Sequence, residues 1–193
     1  MRVPRFLSGL GRDRSGIAAV EFAMIVPLMV AMWLGMMQFY QYATADAKTL
    51  MAAQSISDMV AQISTWQAGQ FNDIVSAAND VMSPLPTTNA LTVPPTNAIT
   101  VDVVGVAYDA NNNPTAATAN GGWRCTTTGG PPADTPVNLS AAAGLGTTGQ
   151  MIILVTVKYA YQPTVTYGVL GARTLSELSL NRPRLGSTIP APC

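Results

Sequence analysis

Glu21 is the one residue whose type and position demand a chemical explanation. It stands five residues into an apolar run from Ile17 to Phe39, in which only Glu21 and Gln38 are strongly polar. A carboxylate in lipid-soluble sequence is costly unless it is paired or neutralised, and such residues are by default functional. The chemistry open to it is charge pairing in a medium of low dielectric. The plain alternative is that Glu21, so near the start of the run, sits among lipid headgroups. Proton-transfer catalysis has little to draw on, because the chain contains no histidine. That removes His-based triads, His-containing metal sites and the usual near-neutral base.

Other constellations are weaker. Asp46, Asp58, Asp73, Asp80, Asp102, Asp109, Asp134 and Glu177 are scattered without a paired-carboxylate spacing. Asp109-Ala-Asn-Asn-Asn resembles the opening of an oxygen-rich Ca²⁺ loop, yet the later Gly and bidentate Glu are missing, so a solvated turn is the better account. Gly144-Leu-Gly-Thr-Thr-Gly149 lacks the Lys and the preceding strand of a phosphate loop, and Gly-x-Ser-x-Gly does not occur. The expectation is no enzyme, no metal and no cofactor. Ten basic against ten acidic residues give no reason to expect nucleic acid as a partner.

The element that must position Glu21 is a helix. The 23 residues from Ile17 to Phe39 would rise about 34 Å, enough to cross a hydrocarbon core of roughly 30 Å. Pro27 removes one backbone hydrogen bond and is expected to kink the helix, which membrane spans tolerate. The methionines of the run read chiefly as plain lipophilicity, with adaptable packing as the alternative. Phe39, Tyr40 and Tyr42 fall where the span would meet the far interface. Residues 1–16 hold Arg2, Arg5, Arg12 and Arg14 against Asp13 alone, so the N-terminus is expected in the cytoplasm. A cleaved secretory signal is the rival reading, but its apolar region covers only about 7–15 residues.

The block Arg14-Ser15-Gly16-Ile17-Ala18-Ala19-Val20-Glu21-Phe22-Ala23, with Pro27, resembles the processing site of type IVb prepilins. Within that group it is similar to the TadE/TadF-like minor pilins (pseudopilins) of the tight adherence system. Arg182-Pro183-Arg184 adds to the likeness. The resemblance implies cleavage by a prepilin peptidase between Gly16 and Ile17. It also implies that Glu21, with Phe22 beside it, serves assembly by pairing with the freed amine of Ile17 in a neighbouring subunit. The implied partners are the peptidase, other pilins, the assembly platform and the inner membrane.

Past the span, Ala43 to Trp66 contains no Pro or Gly, and Ile56, Met59, Val60, Ile63 and Trp66 recur at three- and four-residue steps. One helix is therefore expected from Ile17 to about Trp66. A second amphipathic stretch runs from Phe71 to Met82 and stops at Pro84 and Pro86. Residues 83–98 read as a loop. Ile99–Tyr108, Trp123–Thr128, Met151–Tyr161 and Thr174–Leu180 read as strands, with residues 129–149 a long surface loop. Cys125 and Cys193 are far apart and form no CxxC pair. An oxidising compartment favours one disulfide between them over two unpaired thiols.

The fold expected is α+β: a long N-terminal helix, its first half transmembrane and its second amphipathic, packed on a small antiparallel sheet in pilin-like fashion. The boundaries are a basic leader at 1–16, a membrane helix at 17–42, an amphipathic helical region at 43–82 and a β-rich exported domain at 83–193. The favoured function is a minor pilin involved in pilus biogenesis and surface adhesion. It would be single-pass in the bacterial inner membrane, its C-terminal domain periplasmic and its destination the surface pilus. The alternatives are an unprocessed single-span envelope scaffold or binding protein and, behind it, a secreted enzyme.

Overall fold

The protein was analysed as a computed structural model, which describes residues 15–89, 96–115, 120–163 and 171–191. Helix α1, Ser15–Ala61, runs unbroken for 47 residues with Pro27 inside it. It stops short of the expected Trp66. The last turn tightens, with Gln62 N–H donating to Met59 O at 3.2 Å and Ile63 N–H to Val60 O at 3.1 Å. The carbonyl of Ala61 then accepts from Arg184 N–H at 2.8 Å. Ile63 and Trp66 still join the core, but by way of the turn rather than the helix.

Gly69 allows the reversal, with a left-handed φ of 83° that favours glycine. Helix α2, Gln70–Met82, buries Ile74, Ala78 and Met82 and returns along α1. Its C-terminal carbonyls would lack partners within the helix. Lys48 of α1 supplies one, its Nζ donating to Val81 O at 3.3 Å and to Ser83 O. A cation at this end of a helix also suits the helix dipole. Within the expected loop at 83–98, Thr88–Asn89 (β1) and Thr96–Asn97 (β2) form a two-residue antiparallel ladder.

The main sheet is antiparallel throughout. Its strands are β3 (Ile99–Ala107), β4 (Trp123–Thr126), β5 (Met151–Tyr161) and β6 (Arg173–Asn181), in the order β4-β3-β5-β6. Alternation sets the two faces. Ile99, Val101 and Val103 of β3 and Met151, Ile153, Val155 and Val157 of β5 meet Ala45, Ala52, Ala53, Ile56, Val60 and Ala61 of α1 in one core. The small side chains on this helix face let it lie close to the sheet.

The opposite face is covered too. Val104, Val106 and Leu154 pack with Ala142, Val137 and Leu139 in a second core. The covering segment lies within the stretch expected to be a surface loop, and includes one 3-10 turn at Leu139–Ala142. Three side chains fasten it. Thr100 Oγ1 donates to Pro131 O at 2.7 Å, Arg124 Nη2 to Asp134 O at 2.8 Å and Lys158 Nζ to Asp134 Oδ1 at 2.7 Å. Beneath the segment Asp102, nearly fully buried, receives Arg124 in a bidentate pair at 2.9 Å and 2.9 Å. Such planar forks suit buried carboxylates.

Candidate functional site

The residues singled out for processing and assembly lie on the first four turns of α1. Gly16 is helical, and a Cβ built there would meet nothing within 4 Å. Ile17 and Glu21 are one turn apart on one face, about 6 Å along the axis. Glu21 is exposed, and Phe22 beside it is 69% exposed. Pro27 leaves the Ala23 carbonyl without the N–H that residue 27 would normally supply. From Gly16 to Met37 only Val26, Leu34 and Gly35 are even partly covered.

An apolar rod with no face covered matches neither a surface helix nor a core helix. Its most apolar window of 18 residues has mean hydropathy 2.2 and is wholly unburied, so α1 is long and apolar enough to cross a membrane. This half of the helix fits a single-pass membrane anchor.

The bare half joins the folded part without a linker. Gln38 is buried, and Tyr42 packs edge-on against Tyr161 of β5, with ring centroids 5.6 Å apart at 83°. Arg173, the first residue of β6, lies over the Tyr42 ring at 5.8 Å. At the far end of the packed half, Asp58 Oδ1 accepts from Asn181 Nδ2 at 2.6 Å and pairs with Arg184 Nη2 at 2.9 Å. β6 therefore runs beside α1 in the same direction, secured at both ends. Between them Ser57 and Ser179 share a hydrogen bond of 2.9 Å. Glu177 faces the same helix, where burial and, secondarily, the Asp46 carboxylate push its pKa up.

Cys125 lies on the helix-facing side of β4, buried, and is disulfide-bonded. Its expected partner, Cys193, is outside the described residues, as are Arg2, Arg5, Arg12, Asp13 and Arg14 of the leader. Trp123, two residues before Cys125, donates from Nε1 to Ile189 O at 2.7 Å and meets Trp66 edge-on at 6.0 Å. The segment after β6 thus straps the end of α1 to the edge of the sheet.

Asp109 organises a local turn. Its Oδ1 accepts the amides of Asn111 at 2.9 Å and Asn113 at 2.8 Å. The bond from Asn113 leads in holding the carboxyl below its usual range. Among the described residues no group of three or more His, Cys, Asp or Glu could hold a metal ion.

Sequence reasoning missed the contacts of Tyr42, Lys48 and Arg184. Their partners lie 119, 33 and 126 residues away respectively. A signal for the covered outer face was present: β3 is apolar on both faces, with Val104 and Val106 beside Val101 and Val103. Strands buried on both sides read that way.

No curated protein and no solved structure matches this chain. A family model does match, described as TadE-like protein, over residues 16–57. The match begins at Gly16 and covers the bare half of α1 with most of its packed half. Over residues 16–57, under a quarter of its length, this chain is similar to the TadE-like proteins.

Proposed function

We propose that this protein is a minor pilin or pseudopilin of a type IVb tight adherence pilus, matured by prepilin peptidase cleavage after Gly16. The observation that carries the reading is a coincidence of boundaries. The TadE-like match starts at Gly16, the residue after which cleavage is proposed, and spans the uncovered apolar half of α1. Cleavage would give Ile17 a free amine one turn from Glu21. In an assembled filament that amine pairs with the Glu21 carboxylate of a neighbour, offsetting the cost of burying either charge. Phe22 and the exposed side chains between Leu28 and Phe39 pack against other subunits, and Pro27 bends the helix to suit.

In this reading the N-terminus is cytoplasmic and the sheet domain faces the periplasm, then the cell surface after assembly. The domain serves pilus biogenesis and adhesion. The protein is a substrate of the peptidase, not an enzyme, and its partners are other pilins and the assembly platform.

The test is N-terminal sequencing and intact mass of protein from membrane and sheared-surface fractions. Chains beginning at Ile17, lost when Gly16 is replaced by a large residue, are the expected result, with Glu21→Ala abolishing incorporation into filaments. Chains retaining residues 1–16 in cells with an active prepilin peptidase would overturn the reading. They would leave an unprocessed single-span envelope protein.

A further inference from the structure

We propose that Arg173, Tyr42 and Tyr161 form a platform that seats the sheet domain on the membrane surface by binding the phosphodiester of an anionic phospholipid headgroup. The inference rests on the membrane-anchor reading of α1. Its first support is depth. Tyr42 lies three residues beyond Phe39, about 4.5 Å along the helix, which is headgroup level if the apolar run fills the hydrocarbon. Arg173 is fixed at that level by its position over the Tyr42 ring.

The second support is unmet hydrogen-bonding capacity. The other cations among the described residues all have oxygen partners. Lys48 reaches helix carbonyls, Arg124 reaches Asp102, Lys158 reaches Asp134, Arg182 reaches Leu145 O and Arg184 reaches Asp58. Arg173 is exposed, and its one described contact is the face of Tyr42. On the neighbouring strand the Tyr161 hydroxyl is buried and makes no hydrogen bond. The two residues are direct cross-strand partners, Tyr161 on β5 and Arg173 on β6. Both point to the helix side, where Tyr42 touches each.

A guanidinium with free donors, on the strand residue paired with a tyrosine whose hydroxyl is unpartnered, suits a phosphate oxygen. The nearest carboxylates along these elements do not compete. Asp46 lies about 6 Å further along α1 and Glu177 about 13 Å further along β6, both away from the span. Aromatic rings with a basic side chain are the usual occupants of this layer.

The test compares amide hydrogen exchange of the full chain in phosphatidylcholine–phosphatidylglycerol nanodiscs and in dodecyl maltoside micelles, which carry no phosphate. Exchange at residues 159–161 and 171–175 is expected to be about tenfold slower in the bilayer. Arg173→Gln should abolish the difference, Arg173→Lys should keep part of it, and exchange in β3 should report an intact fold throughout. Equal exchange in the two media would overturn the platform while leaving the anchor standing, provided the protein still floats with vesicles. So would an Arg173→Gln effect of the same size in micelles, since the ring contact alone would then explain it. Protection reproduced in micelles by millimolar inorganic phosphate would reduce the feature to a general anion site. Failure of the protein to float would remove the anchor reading and the platform together.

Discussion

The two halves of α1 have the same backbone and opposite surroundings. From Gly16 to Met37 the helix is apolar apart from Glu21, and almost nothing in the chain covers it. From Gln38 to Ala61 it is polar on one side and small or apolar on the other, and the second side is covered by β5, β6 and α2. Helix propensity does not distinguish the halves sharply, since both carry several Ala and Met residues. What differs is the medium each surface is written for. In the bare half the sequence leaves packing to whatever lies outside the chain, and in the packed half it specifies the partners residue by residue.

Substitution is the sharpest way to break this contrast. Ile56→Ala, at a fully buried position, is expected to destabilise the sheet domain by about 3 kcal/mol. Leu28→Ala, in the bare half, should shift the same transition by less than about 0.5 kcal/mol. Urea unfolding in micelles followed by tryptophan fluorescence reads both, and equal effects would erase the distinction. On the outer face, Asp102→Asn strips the half-buried Arg124 of its counter-charge. It should cost about 2 kcal/mol and loosen residues 131–138 while α1 keeps its exchange protection.

Smaller effects grade the packed half itself. Because the folded pKa of Glu177 is raised, the native state holds its proton at pH values where the unfolded chain has released it. Stability contributed by this group is therefore lost as pH rises from about 4.5 through the raised value. Glu177→Gln should flatten that slope and stabilise at neutral pH by up to about 1 kcal/mol. Asp58→Ala removes an ion pair whose side chains are both more than half exposed, so about 0.5 kcal/mol is expected. A larger loss would mean that Asp58 mainly positions the strap.

How much of this was legible in sequence divides along the same line. Strands β3, β5 and β6 could be read almost to the residue, because alternation and β-branching are local signals. The bare apolar helix was legible because it needs nothing but apolarity over sufficient length. The end of α1 was not. Ile63 and Trp66 continue the helical spacing, yet the helix ends at Ala61, whose carbonyl is met by an amide 123 residues later. Residues 131–142 carry few hydrophobic side chains and so read as loop. Their place over the sheet depends on Arg124, Lys158 and Thr100, which no local pattern joins to them. Arg184 belonged to a motif noted in the sequence, though only the fold gives it Asp58. Of the proposed site, residue types and spacing marked Gly16, Ile17, Glu21 and Phe22, whereas the junction at Tyr42 needed the topology.

The position of β6 beside α1 has a consequence for how the chain acquires its shape during synthesis. The small-residue face of the helix is made early, but the strand that lies along it comes only at residues 173–181 and the strap after that. Until residue 184 is available, Ala45, Ala52, Ala53 and Ile56 have part of their cover missing. Contacts this distant in sequence form slowly. A nascent chain therefore passes through an interval in which the helix is finished and its apolar face is open to other chains. Assembly factors or chaperones acting in that interval would meet a surface that the completed domain no longer shows.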